Sequence, residues 1–109
     1  MADQVVLYAR FTAKLGKGGD VAAILEELVE LVQREEGLQF YALHRGLDDP
    51  DIVWFYEIYA DQSALDGHGK FPEFGQIFAR IGDLTAGPPE LIRAAIVGQF
   101  TRLTQGVDQ

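Results

Sequence analysis

The sequence predicts an α+β fold of order β-α-β-β-α-β, the ferredoxin-like arrangement, with helices over one face of an antiparallel sheet. Three observations predict it. Four runs rich in β-branched and aromatic residues are separated by turn residues. Two stretches of helical periodicity fall after the first and third of these runs. Only the turn Asp48-Asp49-Pro50-Asp51 separates the second run from the third, which makes them a hairpin. At 109 residues there is room for one domain and one core. That domain is expected to span residues 1–109, with a core of about 4–103 and a frayed tail at 104–109.

The first strand covers about Gln4 to Lys14, with Val5, Leu7, Ala9, Phe11 and Ala13 on one face. Glycines at 16, 18 and 19 break it. They have neither the dinucleotide nor the phosphate-loop spacing, and read as a turn. Asp20 is an N-cap or first-turn acid for a helix running to about Glu36, with Gly37 as its C′ residue. Val21, Ile24, Leu25, Leu28, Leu31 and Val32 form its apolar stripe. That helix would be roughly 25 Å long, enough to lie along a strand. The hairpin strands are Leu38 to Leu47 and Ile52 to Ala60. A second helix opens after Asp61 and is interrupted near Gly67, Gly69 and Pro72, and a further helical stretch covers Glu73 to Ile81. Gly87-Pro88-Pro89 then resets the chain before a last strand, Leu91 to Leu103.

Composition narrows the chemistry. A net charge of −8, with nine scattered Lys and Arg, supplies no basic stripe for nucleic acid. The absence of cysteine excludes disulfides, thiolate nucleophiles and iron–sulfur clusters. His44 and His68 alone cannot build a three-histidine metal site within one chain. The turn at 48–51 lacks the length and glycine of a calcium loop. No apolar run approaches the ~20 residues of a membrane span, and the N-terminus has no signal-peptide pattern. A cytoplasmic protein with no metal, no membrane and no nucleic-acid partner is the expectation.

The third strand carries Val53, Phe55 and Tyr59 on one side and Trp54, Tyr56 and Ile58 on the other. Two helices cover only one side of the sheet. The other would be a large apolar patch in water, so two sheets are expected to pack together as a symmetric homodimer.

Several residues are candidates for chemistry. His68 carries the side chain whose unperturbed pKa lies near neutrality, and glycines flank it. It reads either as a proton acceptor or as a surface histidine ending a short helix. Glu57 is a charge in an aromatic strand, and its partner is expected among Arg45, His44 and Arg93. It reads as an ion pair between strands or subunits, or as a group orienting His68. Phe55, Phe71, Phe74 and Phe78 read as core or as the wall of an aromatic pocket. Hairpin register leaves the faces of His44 and Arg45 open.

Leu43-His44-Arg45, Leu47-Asp48-Asp49-Pro50, Tyr56-Glu57-Ile58-Tyr59-Ala60-Asp61, Ala64-Leu65 and His68 followed by Phe74 resemble the antibiotic biosynthesis monooxygenase family. The resemblance covers about Val5 to Phe100. It implies a dimeric α+β barrel and a cavity between helices and sheet that His68 faces. At Tyr59, where family members often carry tryptophan, a phenol replaces the indole. The resemblance further implies a monooxygenase that needs no cofactor and oxidises a small aromatic quinol or polyketide-like substrate with molecular oxygen. His68 would be the base. Tyr59 and Tyr41 would orient the ring or its oxyanion, and Glu57 and the four phenylalanines would line the pocket. Three other readings stay open at this level. They are a small-metabolite isomerase, a haem-degrading enzyme with His68 as axial ligand, and a dimeric module that binds hydrophobic ligands without turnover.

Overall fold

The computed structural model describes residues 3–102. Four strands, β1 (Val5–Thr12), β2 (Leu38–Arg45), β3 (Ile52–Tyr59) and β4 (Glu90–Ala94), form one sheet in the order β2-β3-β1-β4. Every neighbouring pair is antiparallel. Helices α1 (Gly18–Leu31), α2 (Gln62–Asp66) and α3 (Pro72–Ile81) complete the chain. Order and connectivity are those of the ferredoxin-like α+β fold.

The period-2 pattern of β1 and β3 sets the layers. Ala9, Phe11, Val53 and Phe55 are buried against Val21, Leu25 and Leu28, the last three wholly shielded from solvent. Register places Leu7 opposite Glu57 and Tyr41 also opposite Glu57, so these three side chains share the helix-covered face. His44 lies on the other face, stacked on Trp54 with ring centroids 5.4 Å apart. Arg45, one residue on, points to the helix side, where its Nε donates to Pro50 O at 2.7 Å. On the face without helices, Tyr56 touches Tyr8 and Phe40 at centroid separations of 5.2 and 5.6 Å.

Four local expectations are corrected. First, α1 ends at Leu31, and a 3₁₀ turn, Val32–Arg34, replaces its last turn. Glu35 is already extended, at φ −92° and ψ 107°. Gly37 is therefore no helix cap. It is required because a Cβ there would collide with that of Ala64. Second, Asp20 is the first-turn acid that was one of its two expected roles, and the other is corrected: Lys17 is the capping residue and supplies no side-chain bond. The carboxylate of Asp51 instead accepts N–H bonds from Gly16 and Gly18, both at 2.9 Å, and so anchors the helix to the hairpin turn. Third, β2 stops at Arg45 because the turn closes with Gly46 N–H donating to Ile52 O. Fourth, β4 stops at Ala94. It pairs with Val6, one residue from the start of β1, so the strand runs out of partner. Residues 95–102 have no regular structure, and Val97 and Phe100 are exposed. The expected tail at 104–109, and Leu103 at the expected strand end, lie outside the described residues.

Candidate functional site

The site forms where α2, α3 and the end of α1 meet the buried face of the sheet. Asp61 caps α2 by accepting from Ala64 N at 2.8 Å, and the helix closes with His68 N donating to Leu65 O. Gly69 then turns the chain at φ +80°, a conformation that favours glycine. The turn directs His68 back toward the sheet, among the rings of Phe74, Tyr59 and Tyr41 at 5.1, 5.3 and 5.9 Å.

Two carboxylates flank the imidazole. Glu35 lies 2.9 and 3.1 Å from Nδ1 through its two oxygens, and Gly69 N donates to it at 3.4 Å. Nδ1–H donating to this carboxylate leaves Nε2 with its lone pair in the neutral ring. Nε2 lies 3.9 Å from Oε1 of Glu57, which is too long for a hydrogen bond. Oε1 instead accepts from the Tyr59 hydroxyl at 2.6 Å. Glu57 is 2% exposed and Tyr59 is fully buried.

Burial pushes the Glu57 carboxyl above its ordinary pKa; the Tyr59 hydrogen bond, and then the charge of His68, oppose this in part. Tyr41 and Tyr59 are pushed far up, first by burial and then by Glu57. Both therefore stay phenols at neutral pH.

A cavity of about 870 Å³ opens in front of His68 and Glu57. Its wall includes Leu7, Ala9, Phe11, Phe55, Phe74 and Phe78, and Tyr41 reaches it from β2. Its rim is the segment 85–89 before β4. Such a space takes an apolar, ring-sized molecule and offers it three titratable groups, Tyr41, Glu57 and His68. Among the described residues no three carboxylate or imidazole groups converge as a metal site would require. No described helix is long and apolar enough to cross a membrane.

A family model for antibiotic biosynthesis monooxygenases matches residues 4–80. The chain belongs to this antibiotic biosynthesis monooxygenase family. The match spans Glu35, Tyr41, Glu57, Tyr59 and His68 and excludes the rim and β4. A Mycobacterium tuberculosis protein named "Putative monooxygenase Rv0793" is 28% identical over 88 residues, covering 81% of this chain and 86% of that protein. Its solved structure aligns with a TM-score of 0.78 at 23% identity, over 90% of this chain and 99% of that one. A structure from Nitrosomonas europaea, titled as an antibiotic biosynthesis monooxygenase of the same provisional kind, aligns at 0.80 with 18% identity, over 89% and 93%. These two structural likenesses show the shared fold. A Shewanella oneidensis protein, 27% identical, aligns at 0.78 over 88% and 93%.

Within this family fold, the residues singled out from sequence separate into two groups. His68, Glu57, Tyr41, Phe55, Phe74 and Phe78 meet on one cavity. Tyr59 and Phe71 are not among its lining residues. Tyr59 is fully buried with its hydroxyl donating to Glu57, so the expected direct contact of Tyr59 with a ring or oxyanion is not what this geometry offers. Phe71 stacks on Phe74 and lies under the Arg34 guanidinium, 5.2 Å from its ring centroid. The expected partners of Glu57 also change. Arg93 donates to Gln62, Arg45 to Pro50 and His44 stacks on the far face. Tyr59 and His68 take their place. Glu35 was missed by sequence reasoning. It stands 33 residues from His68, where no spacing rule connects them, and only its place in the break between helix and strand could have marked it.

Proposed function

We propose that this chain is a monooxygenase that needs no cofactor and acts on a small aromatic quinol or an anthrone-like polyketide. The observation that carries the reading is His68 at the apolar cavity with its Nδ1 2.9 Å from Glu35; with Nδ1–H donating to that carboxylate, Nε2 would be the base. An oriented imidazole at an apolar cavity is suited to removing a proton from a phenol or an activated methylene. The resulting anion is electron-rich enough to reduce oxygen. For an anthrone methylene the balance is CH2 plus O2 giving C=O plus water. One oxygen atom enters the product, the other leaves as water, and the substrate supplies all the electrons. The Tyr41 phenol, which lines the cavity, would hold the substrate's oxygen. The aromatic face of the sheet opposite the helices is the surface through which we expect two copies to pair.

Oxygen uptake with a panel of quinols and anthrones tests this reading, with His68→Ala beside the wild type. Enzyme-dependent uptake that falls by about 10²-fold or more in the variant is the expected result. Uptake no faster than the spontaneous reaction across the panel would reject it. Turnover persisting without oxygen would point instead to isomerisation by the same base.

A further inference from the structure

The overall reaction sets a requirement that His68 alone does not meet. Two protons leave carbon and two arrive on one oxygen, and a hydroxide or peroxide leaving group is poor unless it is protonated as it departs. The site therefore needs an acid as well as a base. Glu57 is a second titratable group on the cavity wall, across from Nε2 of His68 at 3.9 Å. One of its oxygens is fixed by the Tyr59 hydroxyl, and among the described residues Oε2 has no hydrogen-bond partner. No described buried side-chain oxygen or nitrogen lacks a partner, so Oε2 is the part of this 2% exposed residue that retains access. The nearest charged neighbours are His68 on Oε1 and, behind the imidazole, Glu35. Among the described residues, no arginine or lysine lines the cavity to hold Glu57 as a carboxylate.

We propose that Glu57 is a second catalytic residue, the acid that hands protons from Oε2 to the departing oxygen, with Tyr59 positioning it. The proposal rests on the oxygenase reading above. His68 Nε2 takes the first proton from the substrate methylene. The carbanion reduces O2 and a C–O bond forms. Glu57 protonates the distal oxygen, giving a hydroperoxide. The proton on His68 returns to Oε2 of the Glu57 carboxylate through a bridging water, since the 3.9 Å gap is too long for direct transfer, and this resets both groups. His68 then removes the second proton from carbon while the O–O bond breaks and C=O forms. The hydroxide leaves with the proton of Glu57 as water, and a second transfer from His68 restores the starting state. Burial of Glu57, which favours its neutral form, supports this assignment.

Two experiments on the full chain test it. With a substrate that the wild type oxidises, Glu57→Gln should still consume oxygen, though more slowly, because His68 still removes the first proton. Its formation of the carbonyl product should fall by about 10²-fold or more, and substrate hydroperoxide or hydrogen peroxide should accumulate. Unchanged product formation with no peroxide would overturn the role of Glu57 and leave the oxygenase reading standing. Absence of wild-type uptake on every substrate would overturn both. The second experiment needs no turnover. Infrared spectra of the wild type at neutral pH should show a protonated-carboxyl band that shifts in Tyr59→Phe. Lack of such a band would overturn the acid role, whatever Glu57→Gln does.

Discussion

Four side chains carry the account: Glu35, His68, Glu57 and Tyr59. Each has a distinct task because each has a distinct environment. In the proposed reaction Glu35 acts through His68, by fixing which ring nitrogen bears the proton, and it also accepts from Gly69 N. Glu35→Gln should therefore lower kcat while leaving KM nearly unchanged, as steady-state kinetics would reveal. A parallel rise in KM would mean that Glu35 also shapes substrate binding. Glu57 makes a pH prediction whose sign follows from its burial. Its folded pKa lies above the unfolded value, so its contribution to stability is fully present below the unfolded carboxylate pKa, about 4. It is lost as pH rises through the folded value. The wild type should lose stability relative to Glu57→Gln between about pH 4 and neutrality. Thermal melts of both proteins across that range check this, and parallel pH profiles would contradict it.

The elements that hold these residues rest on a few close approaches. At Gly37 the chain passes Ala64 with no room for a methyl group, and this contact ties the start of β2 to α2 beneath His68. Gly37→Ala should cost about 1–3 kcal/mol by overpacking, read from urea denaturation. Leu28→Ala, at a position with no solvent exposure, should cost about 2–5 kcal/mol. Sequence reasoning located the elements well because period and turn chemistry are local signals. Val5, Leu7, Ala9, Phe11 and Ala13 share a face as the alternation demands, and Gly67 and Pro72 divide the second helical region. It failed where the deciding contact is distant. The end of α1, the cap supplied by Asp51 from the hairpin turn and the early end of β4 all depend on partners far along the chain. The site follows the same rule. His68 stood out for its chemistry, whereas its Glu35 partner is fixed only by the fold. Register, which sequence left open, placed Glu57 and Tyr41 on the cavity and His44 away from it.

At the scale of the molecule, one face of the sheet is covered by helices and the other bears Tyr8, Phe40, Trp54, Tyr56 and Ile58. We expect sedimentation to give twice the 12.1 kDa chain mass and a Tyr56→Arg, Ile58→Asp double variant to sediment as a monomer. A monomeric wild type would contradict the pairing. The described wall of the cavity divides into polar groups, Glu57, His68 and Tyr41, and apolar ones that include Phe11, Phe55, Phe74 and Phe78. A reaction in which the substrate supplies the electrons and the protein moves only protons suits that division. Turnover of an anthrone under ¹⁸O-labelled oxygen tests this most directly. One labelled atom should appear in the carbonyl product and one in water, with both signals lost in His68→Ala. An unlabelled product, or full labelling in the variant, would contradict it.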